Sequence, residues 1–117
     1  MAFREGDRPM DIAFVVRTAN ADVGLSETLV VGAVTGGSNV TLQLPSYADA
    51  TEGKMYIIKR AGNGGGSLFL APATGEKIDG ATGNKTIGSD SEQSAIIIVN
   101  TSLSYQGWAI VAEFGAG

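Results

Sequence analysis

A glycine-rich segment is the first candidate for chemistry in this chain. The segment from Gly62 to Ser67 has the sequence GNGGGS, which invites comparison with phosphate-binding loops. A phosphate cradle requires a following helix, whose N-terminus supplies N–H groups and a favourable dipole. Here the loop is followed by Leu68, Phe69 and Leu70, which are typical of a strand. We therefore expect a glycine hairpin between two strands rather than a phosphate site.

Two groups of acidic residues are the next candidates. Glu76 and Asp79 are three positions apart, and in a strand this spacing points them to opposite faces, so it does not create an acid/base pair. Asp79, Asp90 and Glu92 could supply the oxygen ligands that calcium prefers. Their spacing does not match a D-x-[DN]-x-[DN]-G loop, so we expect solvated acids and no metal or cofactor.

The amino-acid composition argues against catalysis. The 117 residues include no histidine and no cysteine. This removes Ser-His-Asp and Cys-His arrangements, thiolate nucleophiles and ordinary zinc sites. An enzyme would have to work with carboxylates, lysine or tyrosine alone, so we expect a protein that is not an enzyme.

Charge and hydropathy limit the choice of partners. The formal net charge is −4, from 8 basic and 12 acidic side chains, and the basic residues are scattered. A nucleic-acid-binding surface would show a basic stripe, so we expect no nucleic acid partner. The longest aliphatic run, Ala95 to Val99, is far shorter than the ~20 residues of a membrane span. The charged N-terminus MAFREGDRPM lacks the apolar region of a secretory signal, which predicts synthesis in the cytoplasm.

The elements that would position these residues are short strands. The 17 glycines lie between apolar runs rather than in long polar tracts, which predicts many tight turns and an all-β fold. We expect an antiparallel β-sandwich or a barrel-like knob of roughly nine strands. The predicted strands, in chain order, are Met10–Thr18, Thr28–Val34, Val40–Leu44, Lys54–Arg60, Ser67–Ala71, Glu76–Asp79, Lys85–Ile87, Ser94–Asn100 and Gly107–Glu113.

The connections between these strands are also predicted. A turn at Thr35–Ser38 would make Thr28–Val34 and Val40–Leu44 an antiparallel pair, and the glycine hairpin would join the next two strands. The segment Ser46–Glu52 is expected to hold at most two helical turns, ending at Gly53.

The N-terminal residues have two interpretations. Residues 1–18 are expected to form an arm with a first strand, ahead of a single β domain over residues 19–117. In Met10–Thr18 both faces are mostly apolar, which fits either an ordinary first strand of the sheet or a strand added to a neighbouring protein. The mixed charges around Arg4, Arg8 and Arg17 fit either a solvated terminus or a docking arm.

Residues 39–111 resemble the small all-β module of bacteriophage tail fibres, head fibres and capsid decoration proteins. Several short motifs carry the resemblance: Leu44-Pro45, Gly53-Lys54 ahead of a strand to Lys59, Leu68/Leu70, Pro72, Gly75-Glu76-x-Ile78-Asp79-Gly80 and Gly107-Trp108-x-Ile110-Val111. The resemblance implies a virion surface protein that works as a homotrimer and has no catalytic residues. It also implies that Gly75–Gly80 is a structural turn whose acids bond to backbone N–H groups.

These expectations lead to a capsid decoration (cement) protein, located in the virion on the outer surface of the capsid. Its partners would be two sister copies and the major capsid protein. The expected capsid or subunit contacts are Arg4, Arg8, Ile12, Phe14, Val16 and Arg17. The expected trimer or core contacts are Tyr56, Ile96, Ile98 and Trp108.

The alternative is a tail-fibre or receptor-binding tip that recognises a host surface glycan. It would require Trp108 or Tyr105 to be exposed as a stacking platform. Trp108 lies in an apolar strand, so we expect it in the core.

Overall fold

A computed structural model describes residues 13–89, 93–102 and 107–115. Over these residues the chain is all-β, as predicted, with no helix. The nine strands are β1 (Phe14–Arg17), β2 (Ala21–Asp22), β3 (Leu29–Ala33), β4 (Val40–Gln43), β5 (Met55–Ala61), β6 (Leu68–Ala71), β7 (Lys85–Gly88), β8 (Ala95–Asn100) and β9 (Trp108–Phe114).

The strands form two mixed sheets that enclose one core, and they do not close into a barrel. The larger sheet has five strands in the order β1-β3-β5-β8-β9, and the smaller has four in the order β2-β4-β6-β7. The pairs β1/β3, β3/β5, β2/β4 and β4/β6 are parallel. The predicted antiparallel pairing is therefore wrong for these four pairs, whereas β5/β8, β6/β7 and β8/β9 are antiparallel.

The parallel pairing arises because the chain alternates between the two sheets. Each odd strand from β1 to β5 lies in the five-stranded sheet, and the even strand that follows it lies in the four-stranded sheet. The chain thus lays down three stacked layers, β1–β2, β3–β4 and β5–β6. Leu29 pairs with Ile57 and Val40 pairs with Leu68, an offset of 28 residues in both sheets. The second and third layers are therefore a structural repeat.

Two predicted connections are wrong for the same reason. Thr28–Val34 and Val40–Leu44 do not form an antiparallel pair, because β3 and β4 belong to different sheets. The segment 62–67 is not a hairpin, because β5 and β6 also belong to different sheets. It is an arc that carries the chain across the core, and we call it the glycine arc.

Smaller departures concern the segments between strands. Ser46–Glu52 contains hydrogen-bonded turns, in which the N–H groups of Asp49 and Ala50 both donate to the Ser46 carbonyl, and it forms no helix. Glu76–Asp79 is not a strand, although Ile78 makes single bridges to two other residues. The two-residue strand β2 was not among the predicted strands.

The antiparallel strands complete the five-stranded sheet. β8 lies between β5 and β9, and five of its six residues are apolar. The inward-facing residues of both sheets form one hydrophobic cluster: Val23, Val30, Val34, Val40, Leu42, Leu44, Tyr47, Ala50, Tyr56, Ile58, Leu68, Leu70, Ile78, Ile87, Ile96, Ile98 and Trp108. Phe14–Arg17 pairs with β3 inside this architecture, so the first strand belongs to the sheet.

Candidate interaction surface

The aromatic residues lie inside the protein. Trp108 is 0% exposed and contacts two tyrosines, with ring centroids 5.6 Å from Tyr56 and 6.3 Å from Tyr47. Both tyrosines are themselves buried. Stacking on a sugar requires an open ring face, so Trp108 is not available as a glycan platform. Tyr105 lies outside the described residues.

Tyr56 fastens the loop after β2 to the core. Its hydroxyl donates a hydrogen bond to the carbonyl of Gly24 at 3.0 Å, and the ammonium of Lys54 lies 4.8 Å from its ring centroid. Burial, with a smaller contribution from the charge of Glu27, raises the pKa of Tyr56 from 10.0 to about 12. The hydroxyl therefore stays protonated at neutral pH and acts as a structural donor.

The glycine arc is organised around a buried arginine. Arg60 is 0% exposed, and its guanidinium donates to the carbonyls of Gly64 at 2.8 Å, Gly66 at 2.7 Å and Gly62 at 3.3 Å. A planar guanidinium with several donors suits a ring of carbonyls, because one side chain satisfies oxygens that point in different directions. No signal in the sequence indicates this role, since Arg60 appears as an ordinary polar residue at the end of a strand.

The same geometry excludes a phosphate cradle at the arc. The N–H groups of Gly64 and Gly66 donate to the carbonyls of Val34 and Gly36 in the layer below, at 2.8 and 3.0 Å. The glycines are required by this stacking, because a Cβ on Gly64 would lie 2.3 Å from the Gly36 carbonyl oxygen. The arc is thus a packed connection between layers, with these two amides already in use.

The acids of Gly75–Gly80 bond to backbone N–H groups, as the resemblance implied. Glu76 accepts from the backbone N–H of Tyr47 at 2.9 Å and from the hydroxyl of Ser46 at 2.6 Å. Asp79 accepts from the N–H of Ile110 at 2.8 Å. These carboxylates join the turn to its neighbours and do not face each other as a catalytic pair.

No metal centre or membrane helix is found in the part of the chain that the structure describes. Among residues 13–89, 93–102 and 107–115, no three acidic, histidine or cysteine side chains are grouped to hold a metal ion. Over the same residues, no helix is long and apolar enough to cross a membrane. Asp90 and Glu92, two of the three acids considered for calcium, lie outside these ranges.

Asn100 is a second structural residue that the sequence did not reveal. Its side chain is buried, and its amide nitrogen donates to the carbonyls of Tyr47, Ala50 and Thr51 at 3.1 to 3.3 Å. Its side-chain oxygen accepts from the N–H of Ser102 at 2.8 Å. Asn100 therefore fixes the turn after β4 against the end of β8.

The candidate contact residues of the N-terminal region are only partly described. Arg4, Arg8 and Ile12 lie outside the described residues. Phe14 and Val16 are 60% and 48% exposed on β1, the edge strand of the larger sheet. Arg17 forms an ion pair with Glu27 at 2.7 Å, so its charge has a partner within the chain.

The second group of candidates lies in the core of the single chain. Tyr56, Ile98 and Trp108 are 0% exposed and Ile96 is 2% exposed. Residues enclosed in this way by their own chain leave no surface for a sister subunit. The structure therefore assigns these four side chains to the core and not to a subunit contact.

The outer face of the five-stranded sheet carries four of the six large hydrophobic side chains that are exposed among the described residues: Phe14, Val16, Met55 and Phe114. Its residues pair across the strands in three rows: Phe14, Leu29, Ile57, Ile97 and Ala112; Val16, Val31, Lys59, Ala95 and Phe114; and Met55, Val99 and Ala109. We call these thirteen residues the apolar outer face. All are exposed or half-buried, and Lys59 alone is charged.

The outer face of the four-stranded sheet is different. It presents Asp22, Thr41, Gln43, Phe69 and Thr86, all exposed or half-buried, of which Phe69 alone is apolar. A sheet with one polar face is the ordinary arrangement in a soluble protein. The two sheets thus differ in what their outer faces can bind, and the apolar outer face is the candidate interaction surface.

The chain matches no protein-family model, and no curated protein matches it significantly.

Proposed function

We propose that this protein is a structural component of a bacteriophage virion, a capsid decoration protein that binds the outside of the shell as a homotrimer. The observation that carries the proposal is the apolar outer face. Contiguous apolar surface on a soluble protein marks a site of association with other proteins. A structural role needs such a surface and needs no catalytic group.

Two further observations support a structural role. The polar groups buried in the core, on Arg60 and Asn100, are used in hydrogen bonds to backbone carbonyls. The acids of the Gly75–Gly80 turn are likewise held by donors of the same chain. The chemistry-bearing side chains near the core thus serve the fold, which agrees with the motifs that resemble phage head and tail proteins.

The proposed mechanism is stabilisation of the shell by bridging. A protein that binds the assembled shell and not the free coat protein shifts the equilibrium toward the shell by mass action. Three copies in one trimer would bind multivalently, so that weak single contacts give firm attachment. The capsid contacts would come from the N-terminal residues Arg4, Arg8 and Ile12.

The alternative is a tail-fibre tip that binds a host glycan, and its main candidate for stacking on a sugar is not accessible. Trp108 is buried between two tyrosines and cannot stack on a sugar. The location of the protein on the particle separates the two functions.

Electron microscopy of the encoding phage, with an antibody against the protein, tests the proposal. We expect label over the icosahedral surface, and label confined to the tail tip would favour the alternative. A binding assay sharpens the test, in which purified protein is sedimented with heads that lack it. Retention on the heads, together with increased resistance of the heads to heat, is expected. Protein that stays in the supernatant would contradict the proposal.

A further inference from the structure

We propose that the apolar outer face is the surface through which three copies of this chain associate, with their five-stranded sheets facing a common axis. The inference deepens the proposed function, on which it rests for the expectation of a trimer, by naming the surface that joins the copies. It uses other residues than the sequence suggested, since Tyr56, Ile96, Ile98 and Trp108 were expected as trimer or core contacts and all four lie in the core.

The chemistry of the face limits its occupant. Twelve of its thirteen residues are apolar, and the single charge is that of Lys59. A partner that covers it must itself be flat and nearly uncharged, because an unpaired charge buried against apolar side chains is costly. The chain offers such a surface in its own outer face. Its other sheet is too polar to serve, since it exposes Asp22, Thr41 and Gln43.

The width of the sheet favours three copies around an axis. Five strands at a spacing of about 4.8 Å give a distance of roughly 19 Å between the outermost strands. Three sheets of this width, arranged as a triangular prism, each lie about 5.5 Å from the axis, close to half the ~10 Å separation of packed sheets. Side chains from three faces can therefore fill the space. A much wider sheet would leave a hollow along the axis.

Lys59 gives the arrangement a second testable feature. It lies on β5, the central strand of the sheet, close to the end that leads into the glycine arc. In a three-fold assembly with strands along the axis, three Lys59 side chains come to the same end of the core. Their stems can lie along apolar surface while the ammonium groups reach water, but their like charges repel. Lys59 thus weakens the association that its apolar neighbours drive.

Sedimentation of the full-length chain and three variants tests this inference. The wild type is expected at three times the 12.0 kDa mass of one chain. Met55→Glu places a carboxylate on the central strand at a side chain that is 46% exposed, so the fold of the single chain is retained. We expect this variant to raise the dissociation constant on the order of a hundredfold, because each charge would be buried unpaired.

The matched control is Thr86→Glu, which adds the same charge to an exposed strand residue of the other sheet. It is expected to associate like the wild type. Lys59→Met is expected to lower the dissociation constant several-fold, the opposite sign from Met55→Glu. If Met55→Glu fails to fold by circular dichroism, Phe14→Glu, at a residue that is 60% exposed, replaces it.

The outcomes separate this inference from the proposed function. A wild type that sediments as a monomer or a dimer overturns the inference, as does an equal loss of association in Met55→Glu and Thr86→Glu. A trimer that dissociates in Met55→Glu, but that never binds phage heads, supports the inference and contradicts the capsid function. A chain that is monomeric but binds phage heads contradicts this inference and supports the capsid function.

Discussion

The inner and outer faces of the five-stranded sheet are both rich in aliphatic side chains, yet only the inner face is covered by the chain. Val30 and Ile58 on the inner face are 0% exposed, whereas Phe14, Val16 and Met55 on the outer face are 46% to 60% exposed. The four-stranded sheet packs against the inner face only, so the outer face of the five-stranded sheet is not covered by it. Hydrophobic content therefore does not decide which face is buried, because that depends on where the second sheet packs.

The two faces also differ in how they treat polar groups. Arg60 and Asn100 on the inner side are buried, and each side chain donates hydrogen bonds to three backbone carbonyl oxygens. Lys59, the single charge of the apolar outer face, points to the side that the chain leaves open. Buried polar groups that are hydrogen-bonded to several parts of the chain favour one arrangement of it. The thirteen residues of the apolar outer face include no buried polar group of this kind.

The largest expected effect comes from breaking the inner face at Trp108. Trp108→Ala should lower the free energy of unfolding by about 3–5 kcal/mol, because it leaves a cavity between Tyr47 and Tyr56. Urea unfolding followed by circular dichroism, at one fixed protein concentration, measures the loss. Val111→Ala, at an outward residue that is 58% exposed, is the control and should change stability by less than ~0.5 kcal/mol. Equal losses would show that the two faces do not differ as described.

A second prediction compares Gly64 in the glycine arc with Gly36, which lies 28 positions earlier in the connection between β3 and β4. A Cβ on Gly64 would lie 2.3 Å from the Gly36 carbonyl oxygen, whereas a Cβ on Gly36 would meet nothing within 4 Å. Gly64→Ala should therefore cost roughly 2 kcal/mol or more, because the backbone of two layers must separate. Gly36→Ala should be close to neutral. Thermal unfolding of both variants checks the difference, and similar melting temperatures would argue against the stacked arcs.

The smallest expected effect is a pH dependence on the inner side. The pKa of Tyr56 is raised by burial from 10.0 to about 12, so the unfolded chain loses this proton at a lower pH than the folded chain. Stability from this group is complete below pH 10 and falls as the pH rises from 10 toward 12. Tyr56→Phe should show a shallower decline over that window in urea unfolding at a series of pH values. If the decline in stability with pH were the same in Tyr56→Phe and the wild type, the pKa of Tyr56 would be the same in the folded and the unfolded chain.

The positions of the strands were largely predictable from the sequence. Lys54–Arg60 was predicted where β5 spans Met55–Ala61, and Val40–Leu44 where β4 spans Val40–Gln43. Alternation of apolar and polar residues is a local property, so it survives whatever the strand pairs with. The strand β2 was missed because two residues are too few to show any alternation.

The pairing of the strands was not predictable in the same way. A glycine-rich link between two alternating segments is compatible with a hairpin, in which the strands are neighbours, and with an arc, in which they lie in opposite sheets. Residues 62–67 form the arc. What distinguishes the arc from a hairpin is its contact with the layer below, such as the hydrogen bond that the N–H of Gly64 donates to the carbonyl of Val34. That contact joins residues 30 positions apart, and local propensity carries no information about it.

The candidate site shows the same division. The sequence placed Phe14, Ile57 and Ile97 in strands without indicating that they share one face. It also suggested Tyr56, Ile96, Ile98 and Trp108 for either a trimer contact or the core, and the structure places all four in the core. The role of Arg60 was hidden, because its carbonyl partners come together only when the arc closes around it.

The sequence by itself determined that this chain is all-β, where most of its strands lie, and that no histidine or cysteine chemistry is available to it. These properties follow from composition and from the two-residue period of a strand, which each segment carries alone. The tertiary structure decided which strands pair, which face of each sheet is covered, and that one apolar face remains open. Those outcomes depend on the packing of distant segments against one another, because burial is a property of the assembled sheets and not of any single strand.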